Sequence, residues 1–529
     1  MKAKGPDLWD RIFSDATAKA VFIASILYVV WVTCVGWNGK LADLYAFRQT
    51  QTAISVSYLL KGGPWLAYET PVLGPPWSIP FEFPLYQWIV ALVAKTGLFA
   101  IDQAGRFVSE FFFFSSLYPL YKLLGFLKLS SRQRYLILAI FCISPQYLFW
   151  SRSFMIESTA IALSVYYLWL VFVCCKQLAA GRLNRLTLTG VAVLGAMASM
   201  VKVTTFFSFL VGACIVVAVF AFKTYREEGV HKRTILLFCL LVFAAVIIPF
   251  LAVSGWTAYA DSLKSLNPLA SGFTSSGLRV WNFGTFEQKF SIKTWQTFYF
   301  RILTDLVGNC FLATATVAAV VFCRKERAIV AIISLGLFVL TLLTFTNLQY
   351  VHTYYSYANG IFFLVAVGII VSDLLESRNN LKRVGGITLF CLCLFFSTQH
   401  FFNVYWPFQN QYFDFKPITS AIDTYSGDDD VFIVFGSTWS SEIPYYIKRR
   451  AAMINNLGLN DPALRALKEK LRGYRIGGLL FYTRNGFVEG TDAFVDNALR
   501  YFGVTPGFYS VYPWYKSNSE ILIVFNGAK

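Results

Sequence analysis

The chain has 529 residues, of which 56% are hydrophobic, 14% charged and 18% aromatic, with a mean hydropathy of +0.54. Soluble domains carry about 25% charged residues, so an ordinary soluble protein is excluded, as are a disordered chain, a collagen and a disulfide scaffold. The net charge of +17 belongs almost wholly to the first 403 residues, which hold 33 basic against 17 acidic side chains, whereas residues 404–529 hold 13 against 12. On so apolar a chain a basic surplus marks cytoplasmic loops and argues against nucleic-acid binding.

Lys2, Arg11 and Lys19 lead straight into a full-length apolar stretch with no small-residue cleavage site, so no cleavable signal is expected. Apolar windows long enough to cross a hydrocarbon core of roughly 30 Å fall near 20–37, 107–125, 135–150, 157–175, 187–201, 204–222, 234–254, 302–322, 328–346, 357–375 and 384–403. Basic residues precede the first window (Lys2, Lys4, Arg11, Lys19). They then fill every second connector: 122–134, 176–185, 223–233, 324–327 and 378–383. With the N-terminus inside, all six clusters lie on the cytoplasmic face. The pattern predicts a polytopic α-helical membrane protein of about 11 transmembrane helices, N-in and C-out. Residues 82–101 are also apolar, but a crossing there would turn every later basic loop outward. They are expected to lie in or dip into the outer interface as an amphipathic helix, with Glu82 and Lys95 near water.

The outer face then receives a first long loop (38–106), a second (255–301) rich in Gly, Ser and aromatics, and the tail. In the tail, 431–436, 476–482 and 520–525 read as buried strands, and 439–449, 461–472 and 491–502 as helices, with Asp461-Pro462 as a cap and first helical position. Two domains are predicted: 1–403 in the membrane and 404–529 as a small extracytoplasmic α/β domain. The ten cysteines all lie in or beside apolar segments, so no disulfide framework or Cys-based zinc site is expected. The absence of any N-x-S/T sequon points to a bacterial inner membrane.

Ionisable residues at a membrane face are costly, which makes them candidate functional groups. Asp43 sits just past the first span, where a carboxylate can act on a lipid-borne substrate, or can cap a helix beginning near Leu44. Arg48 follows, with a guanidinium able to grip a phosphate in bidentate fashion. Glu157 lies at the outer mouth of the fourth span. Lys202 breaks the positive-inside pattern at an outer hairpin, as an anion site or as a side chain snorkelling to the interface. His352 and Tyr355 occupy a short outer loop, QYVHTYYSY, that also fits an aromatic belt. No P-loop, H-E-x-x-H, G-x-S-x-G or Cys-rich metal pattern occurs, which removes several enzyme classes.

DLYAFRQTQTA (43–53), EFPLYQWIVA followed by AGRFVS (104–109), SFMIES (153–158) and HTYYSY (352–357) together resemble the integral-membrane glycosyltransferases of the GT-C superfamily. The likeness is to the branch of protein O-mannosyltransferases and the lipid A aminoarabinose transferase, and it covers most of 20–375. It implies transfer of a hexose or pentose from a polyprenyl-phosphate-linked donor, on the outer face, with an acidic residue of the first outer loop as base. In this sequence that residue is Asp43. The branch often carries an acidic pair there, whereas Leu44 follows Asp43, which leaves substrate and metal use open.

Such a transfer needs a base for the acceptor hydroxyl and cations or donors for the departing phosphate. Asp43 fits the first role; Arg48, Lys202, His352 and Tyr355 are candidates for the second, and Glu82 and Glu157 for orienting acceptor or sugar hydroxyls. No cluster of three carboxylates or histidines demands a divalent cation, so no metal or other cofactor is expected. The resemblance leaves a glycan such as lipopolysaccharide, a lipid or a protein as the expected acceptor. The competing readings are a transporter or flippase of a lipid-linked sugar or small molecule, disfavoured by the lack of paired half-repeats and of charges deep in mid-span, a polysaccharide polymerase or ligase, and a non-enzymatic assembly subunit, which would tolerate Asp43→Asn.

Overall fold

A computed structural model describes residues 14–229, 231–437, 439–454, 458–484, 491–516 and 519–527. Lys2, Lys4 and Arg11 of the first basic cluster lie outside these residues. The chain divides into two compact units. The helical unit comprises Met1–Trp37, Arg106–Gly255 and Arg279–Phe408; the mixed unit comprises Asn38–Gly105, Trp256–Leu278 and Gln409–Lys529.

Among the described residues, seven helices are long and apolar enough to cross a membrane: Asp15–Val35, Glu157–Ala179, Val203–Glu227, Lys232–Lys264, Lys325–Thr344, Thr353–Leu375 and Asn380–Gln409. Ile292–Val307 and Cys310–Phe322 form a further, broken candidate, bent by 85°. The bend has a local cause. Gly308 adopts φ +81, and a Cβ there would sit 2.1 Å from the backbone of Phe396, so only glycine fits. Asn309 then caps the second half by accepting from Leu312 N at 3.0 Å. Three more predicted spans coincide with helices that are shorter or more charged. Ile101–Phe126 carries Asp102, Arg106, Glu110 and Lys122. Ser131–Ile143 is separated from Pro145–Trp150 at Ser144, where Pro145 can begin a helix but not continue one. Arg185–Val201 has 17 residues. At the centre of the unit every residue from Tyr357 to Leu375 is buried.

Residues 82–101 contain the 11-residue helix Leu85–Lys95. At 1.5 Å per residue it is about 16 Å long, too short to cross a core of roughly 30 Å. It buries Tyr86, Gln87, Val90 and Ala91 and leaves Leu92 exposed.

The mixed unit is built on a five-stranded sheet of order β2-β1-β3-β5-β4. Its strands are β1 (Val431–Phe435), β2 (Arg450–Ile454), β3 (Ile476–Arg484), β4 (Pro506–Trp514) and β5 (Ser519–Asn526). β1 lies parallel to β2 and β3, while β5 runs antiparallel to β3 and β4. Alternation along β1 sends Phe432 and Val434 to one face, with Ile54, Tyr58 and Val72, and Val431, Ile433 and Phe435 to the other, with Leu464, Leu467 and Leu499. Asp461 caps Pro462–Lys470 by accepting from Ala463 N at 2.8 Å. The predicted helix 439–449 is shorter, Glu442–Ile447, because the chain turns at Lys448 (φ 56) into β2.

The free side of β2 is covered by the first loop. Ala451 N donates to Pro71 O at 3.1 Å, Gly74 N to Ala451 O at 3.1 Å, and Met453 N to Val72 O at 2.8 Å. The fully buried Asn267 donates its side-chain amide to the carbonyls of Gly74 (2.8 Å) and Pro76 (3.1 Å). Three distant stretches of chain thus share one core.

Candidate functional site

In the mixed unit, the helix Ala46–Leu60 buries an unusual row of polar side chains, including Arg48, Gln49, Thr50, Gln51, Thr52 and Ser55. Burial on this scale is tolerated only when the groups are bonded. Gln49 donates its amide to Asp43 Oδ1 and, at 3.1 Å, to the Leu44 carbonyl. Asp43 does not cap the helix: Tyr45 occupies that position in a left-handed conformation, with no side-chain capping bond. The carboxylate is instead half-buried and held at one oxygen by Gln49. Arg48 donates Nη1 to Gln51 Oε1 at 2.7 Å and pairs through Nη2 with Glu82. Glu82 is positioned through its backbone, because Tyr68 donates its hydroxyl to the Glu82 carbonyl at 3.1 Å and accepts from Phe81 N at 2.8 Å. Burial raises the Tyr68 pKa above the ordinary tyrosine range, keeping that hydroxyl a donor. Phe47, Phe81 and Phe273 surround Trp439, with ring centroids 6.4, 5.6 and 4.9 Å from it.

In the helical unit a second group forms where three helix ends meet. Glu157 opens the helix Glu157–Ala179, and Lys202 is the extended residue between Arg185–Val201 and Val203–Glu228. The two form an ion pair whose side chains are 2% and 5% exposed. Lys202 Nζ also lies 5.5 Å from the Tyr354 ring centroid and 4.8 Å from that of Tyr355, within cation–π range. His352 stacks on Tyr354 at 5.3 Å and lies 5.9 Å from Tyr355. Gln146 and Gln349 fix this short segment by donating to Thr353 O (3.0 Å) and Tyr355 O (3.2 Å).

The site residues expected from sequence therefore form two groups: Asp43, Arg48 and Glu82 in one unit, and Glu157, Lys202, His352 and Tyr355 in the other. Glu82 and Glu157 are engaged by Arg48 and Lys202. Lys202 does not snorkel; its charge is buried and compensated. Among the described residues, no group of three or more His, Cys, Asp or Glu is placed to hold a metal ion.

Sequence reasoning passed over three features. Gln49, six residues after Asp43, orients it. Glu110 lies inside the span predicted at 107–125, buried, and accepts from Thr33 and from Ser151 (3.4 Å). His400 Nε2 lies 3.0 Å from Asp305 Oδ1. An acidic residue flanked by FVS and FFFF was the available signal for Glu110, since intramembrane charge is rarely incidental.

No sequence-family profile and no curated protein sequence matches the chain. Solved structures do match. Three of them share its fold. The chain is similar to ArnT from Cupriavidus metallidurans, solved bound to undecaprenyl phosphate, with a TM-score of 0.58 and 11% identity over 96% of this chain and 98% of that one. It is also similar to the oligosaccharyltransferase AglB from Archaeoglobus fulgidus, solved with an inhibitory peptide and a dolichol-phosphate (TM-score 0.51, 11% identity, 97% of this chain and 74% of that one). A third likeness is to the arabinofuranosyltransferase AftD from Mycobacteria (TM-score 0.50, 14% identity, 97% of this chain and 42% of that one).

Proposed function

We propose that this protein is a glycosyltransferase that moves a hexose or pentose from a polyprenyl-phosphate donor to a glycan, lipid or protein acceptor at the outer face of a bacterial inner membrane, with Asp43 as base. The observation that carries this reading is the bonded polar helix Ala46–Leu60, which presents Asp43 oriented by Gln49 and Arg48 anchored by Glu82. The shared fold supports it, because ArnT and AglB were solved with polyprenyl-type phosphates. Asp43 takes the proton of the acceptor hydroxyl, the oxygen bonds to the anomeric carbon, and the bond from that carbon to the phosphate oxygen breaks. Polyprenyl phosphate departs with the electron pair, and the single displacement inverts the anomeric centre.

Arg48 is assigned to the donor phosphate beside Asp43, and Lys202, His352 and Tyr355 are assigned to anion binding within the helical unit, from the charge and hydrogen-bonding character that nominated them in the sequence. Glu82 and Glu157 keep the two cations in place. Residues 404–529 are assigned to the same outer side as the first loop.

The test uses the full-length protein in detergent with a panel of polyprenyl-phosphate sugars, and reads release of polyprenyl phosphate with and without EDTA. Asp43→Asn should lower the rate by about 10²–10⁴-fold with an unchanged melting temperature. Equal rates in the two proteins would sink the assignment of Asp43, and no release from any donor would sink the transferase reading.

A further inference from the structure

The helical unit holds a half-open apolar cavity of about 250 Å³, whose lining includes none of the residues assigned above. Its walls come from the helices Ile101–Phe126, Glu157–Ala179, Val203–Glu228, Lys325–Thr344 and Tyr357–Leu375, and Ser334 supplies their one polar side chain. Packed interiors hold few gaps larger than a water molecule, and an apolar recess of this size that opens to its surroundings is filled most favourably by an apolar occupant. Within a bilayer the abundant apolar occupant is a hydrocarbon chain.

One end of the cavity is marked by cations. Phe172 lines the wall, Phe126 stacks on Phe172 at 5.5 Å and 12°, and Lys176 Nζ lies 4.2 Å over the Phe126 ring. Leu127 also lines the wall. Arg327 donates Nη1 and Nη2 to the carbonyls of Leu127 and Lys128, at 2.7 Å each. Lys128 and Lys176 are exposed, so both reach solvent or headgroups. These residues belong to the basic connectors that the positive-inside pattern assigns to the cytoplasmic leaflet, where anionic lipids gather.

We propose that this cavity is a binding site for an anionic glycerophospholipid: one acyl chain fills the space between the five helices, and the phosphate rests against Lys128, Lys176 and Arg327. The site is separate from the donor and acceptor chemistry and stands whether or not the protein is a transferase. Its charge complementarity selects an anionic headgroup, and its apolar walls require a chain.

The test is native mass spectrometry of the delipidated full-length protein, titrated in turn with phosphatidylglycerol, phosphatidylethanolamine and undecaprenyl phosphate. One phosphatidylglycerol should bind in preference to phosphatidylethanolamine. A surface cation contributes about fivefold to such binding, so Lys128→Gln with Lys176→Gln should weaken phosphatidylglycerol about 25-fold and leave phosphatidylethanolamine unchanged. Gly212→Leu should abolish the bound lipid by filling the cavity, since a Cβ there meets only Leu337 at an ordinary 3.5 Å. Val216→Phe fills the same space from the next turn and serves if the first variant fails to fold. Equal binding of the two phospholipids, phosphatidylglycerol retained by a filled and folded variant, or retention of undecaprenyl phosphate alone would each overturn the proposal.

Discussion

Removing one partner of the Glu157–Lys202 pair should cost more than removing both. The side chains are 2% and 5% exposed, so neither charge has water to fall back on. A contact pair at about 3 Å in an effective dielectric of about 20 attracts by roughly 5–6 kcal/mol, which desolvation largely offsets. Lys202→Met keeps an apolar stem beside Tyr354 and Tyr355 but strands the Glu157 carboxylate, whose Oε2 already has no hydrogen-bond partner among the described residues. The expected loss is about 3–5 kcal/mol; Glu157→Gln, which leaves the ammonium a neutral amide oxygen in place of the carboxylate charge, should also destabilise, by less. The double variant leaves no buried charge and should return to within about 1–2 kcal/mol of the wild type. Melting midpoints at one heating rate in one detergent rank the four proteins whether unfolding is reversible or not. Raising the salt to 1 M should leave the ranking unchanged, since screening acts on exposed charges. Single variants that melt with the wild type, or a double variant below both singles, would refute the reasoning. If Lys202 also holds the donor phosphate, the double variant regains stability without regaining activity.

Arg48→Lys keeps the charge but cannot hold both Gln51 and Glu82, so it should cost about 1.5–3 kcal/mol and raise KM for the donor; a wild-type KM would remove Arg48 from phosphate binding. Burial pushes the Tyr58 hydroxyl up to about 12, partly countered by Arg450. The folded state therefore binds that proton more tightly than the unfolded chain. Its stabilisation is complete below about pH 10 and is lost as pH rises through about 12, so the wild type should lose more stability than Tyr58→Phe across that range in an alkaline melting series. Gly308→Ala drives a Cβ into the Phe396 backbone at 2.1 Å and should prevent accumulation of folded protein in membranes, whereas Ala in place of Gly336, which meets nothing within 4 Å, should be harmless.

Seven of the eleven predicted spans were legible because lipid demands long uninterrupted apolar windows, and β1, β3 and β5 were legible because buried strands do the same on a smaller scale. β4 was not: it is an exposed edge strand bounded by Pro506 and Pro513, with no apolar run to announce it. β2 is five residues long, and two of them are alanine. The break lies inside an apolar window that also holds Asp305, Gly308 and Asn309, a short cluster that a window average smooths over. The site residues could be nominated singly, from charge at an interface. Their partners were harder, because Arg48 meets Glu82 across 34 residues and Lys202 meets Glu157 across 45. Such distances carry no periodicity.

Because Pro71, Val72 and Gly74 pair with β2, and Glu69 with Arg450 across 381 residues, the mixed unit cannot close until the last stretch of the chain exists. At about 5–20 residues per second, the first loop waits roughly 20–80 s after its own synthesis with its strand edge and the apolar side chains of Ile54, Val72 and Ile79 uncovered. Biogenesis of this protein therefore contains an obligatory unprotected interval. A chaperone on that side of the membrane, or a faster-translated message, should raise the yield of folded protein without altering one native contact.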